Sequence, residues 1–224
     1  MKFNPRYFLF ILCAMTLVLS LTPVLPAGAA PLSSPSLHFR SVGAADGWVL
    51  ESSELSNVGG PLNAVSTTFN LGDDAFNRQY RAILQFNTGS IPDTATMTAV
   101  KLKIERQGAI VGTNPFTTHG ILRLDIRKPF FGTAASLASS DFQAAATKIN
   151  AGQFSSTPVS GGSAYQATLP STSFQYINKT GATQFRLRFS LDDNNDLGAD
   201  YMRFFSGNYT IVSERPELEV QYTP

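Results

Sequence analysis

One cysteine, two histidines and one tryptophan stand in 224 residues, and charged residues make up only 15 % of them. The cysteine, Cys13, lies inside an apolar run near the start, so the rest of the chain carries no thiol. That excludes a disulfide framework, a cysteine nucleophile, and zinc or iron–sulfur sites built on cysteine. The two histidines, His38 and His119, are far apart. No His-Glu-x-x-His helix or Gly-x-Ser-x-Gly elbow accompanies them, which removes the common metal-hydrolase and serine-hydrolase signatures. No surplus of positive charge offers itself to phosphate, so nucleic acid is excluded as the main partner. No apolar run reaches the ~20 residues that span a bilayer as a helix. Internal repeats, heptads and low-complexity tracts are absent as well.

What is present begins with a targeting pattern. Lys2 and Arg6 precede an apolar run from Phe8 to Leu21, Thr22-Pro23 breaks it, and Ala27-Gly28-Ala29 follows. That order is the one of a secretory signal peptide over 1–29, with cleavage before Ala30. Leu12 precedes Cys13, where a lipid-attachment site would need a small residue, which argues against a lipid anchor. Lys2 and Arg6 leave with the signal, so the exported chain balances 15 Lys and Arg against 16 Asp and Glu. Residues 30–38, with Pro31 and Pro35, read as a flexible leader, and 39–224 as a single domain long enough to bury a full core.

Period-two alternation then runs almost to the end. Val100, Leu102 and Ile104 alternate with Lys101, Lys103 and Glu105; Leu122, Leu124 and Ile126 with Arg123, Asp125 and Arg127. Phe185, Leu187 and Phe189 alternate with Arg186, Arg188 and Ser190, and Leu218, Val220 and Tyr222 with Glu217, Glu219 and Gln221. One face apolar and the other charged is the mark of half-buried antiparallel strands. Weaker strands read over Phe39–Val42, Trp48–Ser52, Ala64–Phe69, Tyr80–Phe86, Tyr165–Leu169 and Tyr201–Phe205. About ten strands between Gly, Pro, Asn and Asp turns predict an all-β, jelly-roll-like antiparallel sandwich. Ser140, Gln143, three alanines and Gly152 predict one short helix near 140–151.

The order of several strings is similar to a known family. Ala45-Asp46-Gly47-Trp48-Val49, Ser56-Asn57-Val58-Gly59-Gly60 and Tyr80-Arg81-Ala82-Ile83-Leu84-Gln85-Phe86-Asn87 come first. Thr98-Ala99-Val100-Lys101-Leu102 and Arg215-Pro216-Glu217-Leu218 close the set. Together they resemble the DNRLRE-type secreted β-sandwich domain, akin to carbohydrate-binding-module family 96, from Phe39 to Tyr222. The naming hexapeptide is absent, and Asn87 stands where that family often has Asp. The resemblance implies an exported sandwich of the kind appended to surface or polysaccharide-acting proteins, and by itself no ligand.

Three sets of residues carry chemistry. Lys101, Lys103, Arg123, Arg127, Arg186 and Arg188 fall on the polar sides of their strands. If those strands share one sheet they form a basic wall, and guanidinium forks suit planar carboxylates such as uronates. Trp48 and Tyr201, with Tyr80, Tyr165 and Phe205, are the rings that could stack on a sugar rather than fill the core. Asp192, Asn194 and Asp196 alternate as the first oxygens of a calcium loop do, but Leu197 stands where such a loop needs Gly. No cofactor is required, and a structural calcium at those three residues is the one metal the spacing allows. The acidic pairs Glu51/Glu54 and Asp73/Asp74 read as solvated loop carboxylates rather than a glycosidase pair.

The reading is a secreted, non-catalytic, carbohydrate-binding module-like protein of the extracellular space or cell envelope. Its partner would be polysaccharide or cell-surface glycan, acidic and uronate-rich in preference, with no membrane span. The rivals are a structural or adhesive surface sandwich without glycan specificity and, at a distance, a small polysaccharide-degrading enzyme. The sequence leaves the oligomeric state open.

Overall fold

A computed structural model describes residues 34–224. The signal-peptide segment and the first leader residues lie outside that range. Twelve strands follow one another: β1 (Ser36–Arg40), β2 (Gly47–Glu51), β3 (Gly59–Asn63), β4 (Thr68–Asp73), β5 (Gln79–Asn87), β6 (Thr96–Glu105), β7 (Leu122–Arg127), β8 (Lys148–Gln153), β9 (Ala164–Thr168), β10 (Ala182–Phe189), β11 (Tyr201–Phe205) and β12 (Glu217–Thr223). One sheet has the order β1-β12-β6-β9 and the other β11-β4-β5-β10-β7-β8; β2 joins β5 on the edge away from β10 and carries β3. Every strand pairing is antiparallel. With β2, β3, β4 and β11 set aside, the remaining eight strands run 1-8-3-6 in one sheet and 2-7-4-5 in the other, the order of a jelly roll.

The alternation explains the sandwich. Val100, Leu102 and Ile104 of β6 and Leu218 and Val220 of β12 line the inside of the smaller sheet. They meet Leu84 and Phe86 of β5, Leu122, Leu124 and Ile126 of β7, and Phe185 and Leu187 of β10. Each such side chain contributes roughly 1.5–3 kcal/mol on burial, so a one-residue slip of any strand would turn its whole apolar set outward.

Sequence and structure part in three places. The segment read as a helix near 140–151 is a 3-10 turn over Ser139–Phe142 followed by strand β8, which pairs with β7. Asp141 closes that turn by accepting the Ala138 N–H at 2.8 Å, while the Gln143 side chain accepts the Gly59 N–H at 3.0 Å. Carbonyls that a helix would use internally are taken by Arg186, as described below. Strand β1 begins at Ser36, inside the segment read as leader, because its backbone pairs with β12 from Ser36 to Arg40. The strand placed at Ala64–Phe69 lies instead at Thr68–Asp73, and β3 and β8 went unread. Among the described residues no helix is long and apolar enough to cross a membrane.

Candidate functional site

The six basic residues do not make one wall. Lys101 and Lys103 belong to β6 in the four-stranded sheet, whereas Arg123 and Arg127 of β7 and Arg186 and Arg188 of β10 belong to the other. The outward faces of a sandwich look in opposite directions, so the two groups cannot meet one ligand surface. Lys101 Nζ lies 3.6 Å from Glu219 Oε2, and Lys103 stands opposite Glu217 in the ladder.

Arg186 corrects the expectation further, because it is only 5 % exposed. Residues 128–147 cross the outward face of the larger sheet and bury Phe131 and Phe142 against it. Under that roof, Arg186 Nη2 sits 2.9 Å from Asp125 Oδ2. Its Nη1 donates to the carbonyls of Asp141, Phe142 and Ala144 at 3.0, 3.1 and 2.7 Å. Its guanidinium lies 4.7 Å from the Phe131 ring centre. Gln184 supplies the next tie, accepting the Phe131 N–H at 2.8 Å and donating to Ala135 O and Gln85 Oε1 at 3.0 and 3.1 Å. Burial lowers the Arg186 pKa, partly offset by Asp125. Burial also acts to raise Asp125, but the Asn150 N–H and the charges of Arg186 and Arg188 outweigh it and hold the carboxyl below its usual range.

Arg188 shares Asp125, with Nε 3.2 Å from Oδ2, and also reaches Asn150 Oδ1 at 3.3 Å. A third guanidinium joins them from β5. Arg81 donates from Nε to Gln79 Oε1 at 2.6 Å and from Nη1 to Phe142 O at 2.7 Å, with its Cζ 3.8 Å from the Phe142 ring centre. Among the described residues no carboxylate comes within ion-pair distance of it. Burial first, then the charges of Arg186 and Arg188, pull Arg81 down to about 10, against Glu51 and Asp125. Asn57, Gln79, Arg81, Arg188, Phe189, Ser190 and Asp192 line a cavity of about 200 Å³ beside this cluster.

Trp48 and Tyr201, far apart in sequence, meet through Tyr80. The Trp48 and Tyr80 ring centres are 5.2 Å apart, edge to face, and those of Tyr80 and Tyr201 are 5.7 Å apart. Tyr80 and Tyr201 both stand opposite Gly72 in their ladders with β4. Gly72 has φ +126°, and a Cβ there would lie 2.0 Å from Asp200 O, so only glycine lets β4 pass between the two tyrosines. All three rings are partly exposed, while Trp48 also packs on the main core. Tyr165 is buried and stacked on Phe116, which assigns it to the core. Phe205 stacks on Tyr209, with ring centres 4.0 Å apart.

The acidic loop is knit by its own amides. Asn194 Nδ2 donates to Asp196 Oδ2 at 2.8 Å and to Asp200 Oδ2 at 3.0 Å, and Asp196 Oδ1 accepts the Gly198 N–H at 2.6 Å. Asp192 turns toward the arginine-lined cavity. The Asx turns of this loop are those of Asp196 and of Asp193, which accepts the Asn195 N–H at 2.8 Å; Asn194 braces them, and Asp192 takes no part. Among the described residues no three His, Cys, Asp or Glu side chains are grouped to hold a metal ion. Glu51 and Asp73, read as solvated, are buried: Glu51 accepts the Asn57 N–H at 2.6 Å, and Asp73 accepts the Asp200 N–H at 3.0 Å. His119 is buried with Nε2 3.3 Å from Asp73 Oδ1, and His38 pairs with Glu217 at 2.6 Å.

Arg81 was missed in the sequence because β5 breaks its alternation. Ile83 and Gln85 share its side of the strand, and an apolar residue and an amide among polar positions are the one local sign that this face is covered. No family model and no curated protein matches this chain.

Proposed function

We propose that this chain is an exported, non-catalytic carbohydrate-binding sandwich that holds extracellular or cell-envelope polysaccharide. The observation that carries the reading is the row of Trp48, Tyr80 and Tyr201, three partly exposed rings in contact, drawn from β2, β5 and β11. A flat ring covers the apolar face of a sugar, and its rigidity keeps the entropic cost of binding low. The rings are fixed by one another and by the main core, so the surface is formed before a ligand arrives. The likeness of motif order to DNRLRE-type domains points the same way.

Electrophoresis of the chain through gels containing acidic or neutral polysaccharide tests the reading. Retention by at least one polymer is expected, and Tyr201→Ala should abolish most of it without changing the fold. Absence of retention by any polymer, or retention indifferent to Tyr201→Ala, would favour the adhesive sandwich instead. Release of new sugar ends from a retained polymer would favour the enzyme.

A further inference from the structure

Three loops meet at one end of the larger sheet: residues 52–58 between β2 and β3, 74–78 between β4 and β5, and 190–200 between β10 and β11. Each holds one large apolar side chain in water. Leu55, Phe76 and Leu197 are 66, 68 and 67 % exposed, and none of them packs on the main core. Leu55 and Leu197 also stand at φ +59° and +57°, a left-handed backbone that favours Gly, Asn or Asp over leucine. A small polar residue would suit both positions better, so folding does not account for the two leucines. Asn77 keeps the three tips side by side. It is buried, and its side-chain amide donates to Glu54 Oε1 at 3.4 Å and accepts the Leu197 N–H at 3.0 Å. Ser52, Ser53, Glu54, Phe76 and Arg78 line a hollow of about 290 Å³ between the first two tips.

The free charge around the tips has one sign. Glu54 and Asp196 are exposed, Asp192 is half-buried and Asp193 buried, and among the described residues none of the four has a basic group within ion-pair distance. Arg78, the one basic residue of the three loops, is spent on Asp74, donating from Nε to Oδ2 at 3.0 Å. Burial first, then the charges of Asp192, Glu54 and Asp73, raise the Asp193 carboxyl against the Asn195 N–H.

We infer that this end of the sandwich docks a segment of another protein in which apolar side chains alternate with Lys or Arg. The apolar side chains would cover Leu55, Phe76 and Leu197, and the cations would meet Glu54 and Asp196. A few apolar anchors rimmed by charge are the build of a binding patch. The inference stands apart from the glycan reading, since it uses neither the ring row nor the arginine cluster. Like charge tells against two other occupants. A second copy would set Glu54 and Asp196 against their own kind, and an anionic lipid surface would be repelled.

Selection from a displayed library of random heptapeptides tests it, with the wild-type chain and Leu197→Asn as baits. Asn suits a φ of +57°, so this variant should melt at the wild-type temperature or above it. The wild type should enrich peptides that carry Lys or Arg beside Leu, Ile, Phe or Trp, and Leu197→Asn should not. In fluorescence anisotropy the selected peptide should bind at least about fivefold more weakly to folded Leu197→Asn and to folded Phe76→Ser. Glu54→Gln, which can still accept from Asn77, should weaken it as well, and so should added salt. No enrichment, enrichment shared with Leu197→Asn, or selected peptides without a basic residue would overturn the inference. Sedimentation showing a wild-type dimer that Leu197→Asn disperses would overturn it in favour of a second copy. Flotation with phosphatidylcholine vesicles, lost in the same variant, would overturn it in favour of a lipid surface.

Discussion

Arg186 and Asp125 lie 2.9 Å apart beneath residues 128–147, and both are closed off from solvent. The pair is the floor on which the roof segment rests, because the same guanidinium takes three carbonyls of that segment. Removing one partner of a buried pair leaves the other charge uncompensated, at a cost of roughly 3–5 kcal/mol. Arg186→Ala should lose that much in urea denaturation. Lys101→Ala, on the partly exposed Glu219 pair, should change stability by about 0–1 kcal/mol. Equal effects from the two variants would show that the roof does not depend on Arg186.

Asp46 sets a pH dependence of stability. Its carboxylate is fully buried, accepting the N–H groups of Gln85 at 2.8 Å and Gly207 at 3.0 Å. Burial pushes its pKa up to about 7, against the pull of Ser41, those two N–H groups and Arg215. Between the unfolded value of 3.8 and about 7 the folded chain keeps a proton that the unfolded chain has released. Stability is then full below that window, declines as pH rises through it, and stays flat above. Asp141 and Asp193, both raised by burial, tilt the same way. Asp125, held low, acts only toward acid, where its contribution fades as pH falls. A loss of order 1–4 kcal/mol between pH 5 and pH 8 is expected in chemical denaturation, and Asp46→Asn should flatten most of that slope. A slope unchanged in Asp46→Asn would assign it to other groups.

Gly72→Ala tests the crossing of β4 between the two tyrosines. The added Cβ would meet Asp200 O at 2.0 Å on a backbone with φ +126°, so β4 and the Asp200 strand end must separate. A loss of about 2 kcal/mol or more is expected, since strain of this kind costs of order 1–3 kcal/mol even without a clash. Loss of polysaccharide retention should accompany it, as Tyr80 and Tyr201 move apart. A variant with unchanged melting and unchanged retention would show that β4 accommodates the side chain.

Trp48 and Tyr201 should respond unequally to truncation. Trp48 packs against the main core as well as on Tyr80, and its loss should approach about 3 kcal/mol. Tyr201→Ala removes one ring contact at the end of the row, worth about 0.5–1.5 kcal/mol. Thermal melting distinguishes the two, and it makes Tyr201 the cleaner probe of binding.

The alternation in the sequence determined which residues form the core. Val100, Leu102 and Ile104, or Phe185 and Leu187, face inward because a strand has period two and one side must leave water. The all-β class and most strand positions followed from that rule. Sheet membership did not follow, because a jelly roll pairs strands distant in the chain, and local pattern is the same in either sheet. That is why Lys101 and Arg186 looked alike in sequence and lie on opposite sides of the molecule. Nor could the pattern show that residues 128–147 cover the outward side of β5 and β10, since a charge facing a roof alternates like a charge facing water. Tertiary structure alone turned Arg186 into a buried anchor, left Arg81 with no carboxylate in ion-pair reach among the described residues, and brought Trp48 to Tyr201 through Tyr80. Each depends on contacts between segments whose separation along the chain carries no local signal, so the sequence determined the layers and only packing decided what lies between and above them.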